Sequence, residues 1–134
     1  MKTLIITSSF AFIFFLVIDF AWLTFASKYF YKPLLGPLLL EKPIILPAII
    51  FYFIYILGLS FLVLRPCLEN FSVINAAWMG AIFGLVAYGT YDLTNMATLK
   101  NWSLNVVIVD MIWGGLLTGT SSSVGIFLAK KVLI

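Results

Sequence analysis

The sequence predicts an all-α integral membrane protein, folded as a four-transmembrane-helix up-down bundle. Three observations carry this prediction. Of the 134 residues, 63% are hydrophobic and only 10% are charged, whereas charged residues make up about a quarter of an ordinary soluble domain. The mean hydropathy is +1.16. Four apolar runs are each long enough to cross about 30 Å of hydrocarbon, and a backbone surrounded by lipid has to satisfy its hydrogen bonds within such helices.

Each run gives one predicted span of a single membrane domain covering 1–134. The first run contains one charge, Asp19, the second contains none, and the fourth contains Asp110. The prolines between residues 28 and 43 predict an irregular first link, because the residue before a proline disfavours helix. The other two links are short and predict tight hairpins. The predicted spans are 4–26, 44–64, 72–99 and 103–129.

The first span also resembles a secretory signal peptide, with Lys2 at its start and Ala26 near a small-residue cleavage site. Its apolar stretch is longer than the 7–15 residues typical of such a peptide, and it holds an acid, so we favour a retained span. Lysine and arginine number four on each side of the predicted bundle, which leaves the orientation tied. The amino terminus and the Lys130-Lys131 pair favour a cytoplasmic N-terminus.

Several classes of site are excluded by what the chain lacks. It has no histidine, the commonest metal ligand and general base. Its single cysteine, Cys67, cannot form an internal disulfide or supply a zinc site. A net charge of +3, scattered along the chain, does not indicate nucleic acid as a partner. No cofactor is predicted.

Three aspartates are predicted to lie inside the membrane, where an acid is costly. Asp19, Asp92 and Asp110 each lie about seven residues from the end of a span, or roughly 10 Å deep. Up-down order places all three near the face that carries the first and third links. No basic residue lies within the spans, so a convergent cluster would need a bound cation, retained protons or a lysine reaching in.

Polar and aromatic side chains share this level and complete the candidate binding cluster. Helical spacing of three or four residues places Trp22, Asn95 and Trp113 on the same faces as the acids. Depth along the second span places Tyr52 and Tyr55 at the same level. The other predicted members are Trp22, Tyr52, Tyr55, Asn95 and Trp113. Simpler interpretations stay open: a turn or cap around Asp92, interhelical ties at Asp19 and Asp110, and packing or interface anchoring for the aromatic residues.

Small residues recur at four-residue spacing in the third and fourth spans. Gly80 and Gly84 form one such pair, and Gly115 and Gly119 form the other. This spacing lets membrane helices approach closely. We predict the seam between these two helices, with a homodimer face as the alternative.

Several strings resemble the domain of unknown function 2177 family of small bacterial inner-membrane proteins. The most specific is YDLTNMATLKNW at 91–102. Asp19-x-x-Trp22 and Asp110-x-x-Trp113, with their neighbours, are supporting strings, as are 35–39 and 51–59. Ser103 stands where the family often has proline, which leaves the start of the fourth helix less sharply defined. The resemblance implies a multi-pass protein of the bacterial inner (plasma) membrane and implies no reaction.

Three functions are consistent with these sequence features. The first is a small binding or transport module with an intramembrane acidic and aromatic site for a cation or protons. A homodimer is expected there, because four helices are few for a transporter. The second is an accessory subunit of a larger membrane complex, with the acids docking a partner. The third is a lipid-modifying enzyme that uses an aspartate as general acid or base. The lipid bilayer is a partner in all three.

Overall fold

The structure, a computed structural model, describes residues 1–134 and consists of four long helices. Each helix is long and apolar enough to cross a membrane, which confirms the predicted fold class. Successive helices run antiparallel. We name them α1 (Lys2–Leu38), α2 (Ile45–Leu68), α3 (Val73–Thr98) and α4 (Leu104–Leu133).

The best-buried helix is α4, which packs against α3 and α1. At the α3–α4 contact the backbones nearly touch. A Cβ atom placed on Gly80 would lie 2.8 Å from the carbonyl oxygen of Thr118, and one on Gly84 would overlap the carbonyl of Gly114. A Cβ on Gly119 would lie 2.7 Å from the carbonyl oxygen of Ala77. The glycines of the sequence pattern therefore lie between α3 and α4 within one chain.

The same close packing joins α1 to α4 towards the carboxyl end of α4. A Cβ on Gly125 would lie 2.8 Å from that of Ala11 and 3.0 Å from the carbonyl oxygen of Thr7. Small side chains on α1 and α4 therefore bring these two helices together, as small residues do in membranes generally.

The second half of α2 is packed into this bundle, whereas the first half contacts the bundle mainly through Tyr52 and Tyr55. Leu59, Val63 and Leu64 are buried in the second half, and the Ser60 hydroxyl lies 2.7 Å from that of Ser8 on α1. The first half of α2 instead leaves its large apolar side chains exposed. They are Ile45, Leu46, Ile49, Ile50, Phe51, Phe53 and Ile54.

The first helical run is longer than the predicted span, which ended at Ala26. A π-helical turn, Ser27–Tyr31, leads into Lys32–Leu35 and then a 3₁₀ turn, Gly36–Leu38. The prolines do not stop it, because Pro33 stands second in the α-helical stretch that follows the wide π turn. A missing N–H costs little at that position. In α2, Pro66 follows the π turn Ser60–Leu64 in the same way.

The third helix places Asp92 within its last two turns. α3 begins after Ser72, whose hydroxyl accepts a hydrogen bond of 3.2 Å from the Asn75 amide, and it continues to Thr98. Asp92 and Asn95 are therefore helical residues, and the alternative of a turn or cap at Asp92 is wrong. The fourth helix starts at Leu104, one residue after the predicted boundary.

Candidate functional site

Three helices each bring one buried aspartate to the end of the bundle that carries the first and third links. The exposed fractions are 5% for Asp19 on α1, 0% for Asp92 on α3 and 7% for Asp110 on α4. Their surroundings differ.

Asp19 is held by donors from two other helices. Its Oδ2 accepts a hydrogen bond of 2.7 Å from the Tyr52 hydroxyl on α2. Its Oδ1 accepts one of 3.2 Å from the indole Nε1–H of Trp113 on α4. Each carboxyl oxygen therefore has a neutral donor, and the contacts tie α1 to both neighbours.

Asp110 is held by the extension of α1 that the sequence did not predict. The Tyr31 hydroxyl donates to its Oδ1, and the Trp22 Nε1–H donates in turn to the Tyr31 oxygen at 3.2 Å. The Trp22 ring stacks on that of Trp113, with centroids 4.6 Å apart and planes 19° apart. Since Trp113 also donates to Asp19, one network of hydrogen bonds and stacked rings connects the two acids.

A cavity of about 460 Å³ lies beside this network and is bordered by both acids. Thirteen of its sixteen lining residues are hydrophobic, counting tryptophan and tyrosine. The walls come from all four helices and from the two links at this end. The lining residues are Asp19, Trp22, Leu23, Ser27, Tyr31, Leu35, Leu39, Phe51, Tyr52, Ala87, Tyr88, Tyr91, Trp102, Val106, Asp110 and Trp113.

Asp92 differs from the other two acids because it does not line the cavity. Its carboxyl lies close to Asp110 and to the Trp102 indole, but neither contact has hydrogen-bond geometry. Both of its oxygens and the Trp102 Nε1 atom are buried without a partner. The predicted convergence therefore brings together Asp19 and Asp110 at the cavity wall, with Asp92 behind it.

Two other members of the predicted cluster also lie off the cavity wall. The Tyr55 hydroxyl pairs with that of Thr118 at 2.7 Å, and its ring packs on Phe15 and Phe83. Asn95 is partly buried in the last turn of α3. Trp22, Tyr52 and Trp113 do line the cavity.

The charge balance of the cavity depends on the groups that donate hydrogen bonds to its two acids. The hydrogen bonds to Asp19 and Asp110 come from tyrosine and tryptophan, all of them neutral groups. Charge inside a bilayer is costly without a countercharge. The chain has no group of three or more His, Cys, Asp or Glu side chains placed to hold a metal ion. The site is therefore a pair of acids with an aromatic wall.

The sequence places Tyr88 on one helical face with Asp92 and Asn95, but it does not predict Tyr31 and Trp102, which also shape this cavity. Tyr31 was assigned to an irregular link, but Ser27, Tyr31 and Leu35 are spaced by four residues and lie along one helical face. That spacing was the available signal. Trp102 and Tyr88 also line the wall; Trp102 closes the YDLTNMATLKNW string, and Tyr88 lies one turn before Asp92.

The comparisons with known proteins identify a family and go no further. No curated protein and no solved structure matches the chain. A family model does match, over residues 4–127, and is described as a predicted membrane protein, DUF2177. Because the match covers most of the chain and the four helices fit its description, this protein belongs to the DUF2177 family of membrane proteins.

Proposed function

We propose that the protein is a small intramembrane binding or transport module whose ligand is an organic cation. The observation that carries the proposal is that Asp19 and Asp110 share one cavity and receive hydrogen bonds only from neutral donors. A positive charge placed between these acids would offset the cost of holding them in the bilayer.

The cavity walls suit an organic cation better than a bare metal ion. Trp22, Tyr52 and Trp113 present aromatic rings beside the acids, and ring faces attract ammonium and guanidinium groups. The volume of about 460 Å³ lies within the range of small-molecule sites, about 300–1,000 Å³. No group of three or more His, Cys, Asp or Glu side chains is placed to hold a metal ion.

The cellular setting is part of the proposal. The family resemblance supports a bacterial inner membrane, and the terminal Lys130-Lys131 pair supports a cytoplasmic N-terminus. Transport through four helices calls for a homodimer, so we propose self-association for a transport role and none for simple binding.

Thermal stability in the presence of cations tests this function. Purified protein in a neutral detergent is heated with a series of alkylammonium and guanidinium salts, because a ligand that binds the folded state raises the melting temperature. We expect a concentration-dependent rise in the wild type and a much smaller one in Asp19→Asn and Asp110→Asn. Glu41→Gln removes an exposed acid outside the cavity and is the matched control.

Two results would contradict the proposal. One is the absence of any rise with every organic cation. The other is an equal rise in wild type and both aspartate variants, which would mean that the cations bind elsewhere. A melting temperature that depends on pH in the wild type but on no cation would assign the acids to proton binding alone.

A further inference from the structure

We infer that the ligand is an amphipathic amine, with a cationic head and an apolar tail, and that it enters the cavity sideways from the bilayer. This inference rests on the proposed function and specifies the ligand class. Three features of the cavity support it: where it opens, how its walls change in polarity, and what lies beside its opening.

The rim of the cavity is made of residues that also face outward. The exposed fractions are 39% for Leu23, 40% for Leu39, 47% for Phe51 and 58% for Tyr91. Each of these residues also lines the cavity. They belong to α1, the first link, α2 and α3, so the opening lies between helices. A ligand dissolved among lipid chains can reach it without first crossing an aqueous phase.

The incomplete packing of α2 makes this opening. Its second half packs against the other helices around Leu59 and Leu64, both with 0% exposure. Its first half keeps large side chains exposed, among them Phe53 and Ile54 at 63% each. Only the Tyr52 hydroxyl connects that half to a buried acid, through Asp19. The bundle is therefore closed at one end of α2 and open at the other.

The walls change from apolar at the rim to acidic in the interior. Leu23, Leu39 and Phe51 lie at the rim, whereas Asp19 and Asp110 are at least 93% buried by their exposed fractions of 5% and 7%. A molecule that matches both zones carries its charge at one end. This arrangement matches a head among the acids and a tail that remains among leucine, phenylalanine and lipid.

The head and the tail of such a ligand contribute differently to its binding. Lipid chains are about as apolar as leucine, so moving a tail from bilayer to cavity gains little. The head gains charge-assisted hydrogen bonds and cation–π contacts. Tail length therefore controls access from the membrane, and head charge controls affinity once the ligand is there.

The test uses tryptophan fluorescence in nanodiscs of zwitterionic phosphatidylcholine, with Trp78→Phe as background because Trp78 lies outside the cavity. Two probes carry the same nitroxide-labelled hexadecyl chain, which quenches tryptophan; one has an ammonium head and the other a hydroxyl head. Tetramethylammonium is the water-confined cation. We expect the ammonium probe to reach half-maximal quenching at a mole fraction about tenfold below that of the hydroxyl probe.

Two pairs of variants locate the effect. Asp19→Asn and Asp110→Asn should remove the difference between the two probes. Ala87→Phe places a large ring on the cavity wall and should weaken the ammonium probe about tenfold. Ile82→Phe, on the exposed surface of the same helix, should leave it unchanged. The comparison of probes in the wild type needs no variant, so the test stands even if a variant fails to fold.

The outcomes separate this inference from the proposed function. If tetramethylammonium raises the melting temperature through the aspartates while the two probes quench equally, entry from the bilayer is overturned and cation binding stands. If neither cation gives an effect that depends on the aspartates, both are overturned. If the ammonium probe alone shows that dependence, both are supported.

Discussion

The two ends of the bundle are built from different residues and have different consequences. At one end, which we call the closed half, Thr7, Ala11 and Gly125 bring α1 against α4, and Gly80 brings α3 against α4. At the other end, the open half, aromatic side chains and aspartates line the cavity.

The difference shows how a small membrane protein keeps a cavity. Helices in lipid associate through close packing and a few polar contacts, because burial of apolar surface provides no drive there. The closed half is held by close packing, and α2 contacts it through Leu59 and Ser60. The open half is held by polar contacts, since Tyr31, Tyr52 and Trp113 each donate a hydrogen bond to an aspartate.

The largest expected loss of stability comes from a substitution that separates α3 from α4 in the closed half. Gly80→Val would place a Cβ 2.8 Å from the Thr118 carbonyl oxygen, so α3 and α4 have to separate, at a cost of about 3 kcal/mol. Unfolding in mixed micelles measures the loss. Gly36→Ala is the control, since a Cβ there meets nothing within 4 Å. Equal stability of the two variants would contradict the close packing described for α3 and α4.

A smaller effect distinguishes the two halves of one helix. Leu59 has 0% exposure and Ile54 has 63%. Leu59→Ala leaves a cavity in the packed region and should cost about 2 kcal/mol of unfolding free energy. Ile54→Ala faces lipid and should cost no more than about 0.5 kcal/mol. The same unfolding measurement checks both, and a reversed order would mean that the first half of α2 is the packed one.

The third prediction concerns Asp92, the acid behind the cavity wall, and is a gain in stability where the first two are losses. Asp92 is fully buried and neither of its oxygens has a partner. Replacing the carboxylate by a neutral amide in Asp92→Asn should raise the unfolding free energy by about 1 kcal/mol, since a buried charge without a partner destabilises the fold more than a buried amide does. Glu69→Gln, at an exposed acid outside the cavity, is the control and should change little. A clear loss of stability in Asp92→Asn would show that Asp92 has a partner the contacts do not reveal.

The smallest effect separates two tyrosine hydroxyls. Tyr31→Phe removes the donor to Asp110, and Tyr55→Phe removes a 2.7 Å contact with Thr118 away from the cavity wall. Each should cost about 0.6 kcal/mol of stability, the average for side-chain hydrogen bonds between membrane helices. Only Tyr31→Phe should change the concentration of cation that half-saturates the thermal shift. An equal change in both variants would argue against a role for the Tyr31 hydroxyl at the site.

The sequence was sufficient for the spans because hydropathy acts over whole segments. Four apolar runs defined four helices, and up-down order placed the three aspartates near one end. The sequence was not sufficient for α1 beyond Ala26, because the π turn Ser27–Tyr31 is what allows Pro33 to be accommodated within a continuing helix. The spacing of Ser27, Tyr31 and Leu35 indicates a helical face, but it does not distinguish a π turn from an ordinary α-helical one.

The sequence predicts the depth of the site residues in the membrane, but it does not predict which way each side chain points. Asp19 and Trp22 share one helical face, and Asp110 and Trp113 another, because of their i,i+3 spacing, and all four line one cavity. Asp92 lies at the same end but does not line the cavity, and Tyr55 packs against Phe15 and Phe83. Which way a side chain points depends on helix rotation, and helix rotation is decided by contacts that a single sequence does not contain.

The open half holds an acidic cavity, which we propose binds a cation. The most direct measurement is the binding isotherm of a hexadecylammonium probe in zwitterionic nanodiscs, for wild type and for the double variant Asp19→Asn, Asp110→Asn. We predict saturable binding to the wild type and a loss of about tenfold in the variant, with its helical content retained. Equal affinity for the two proteins would contradict the account.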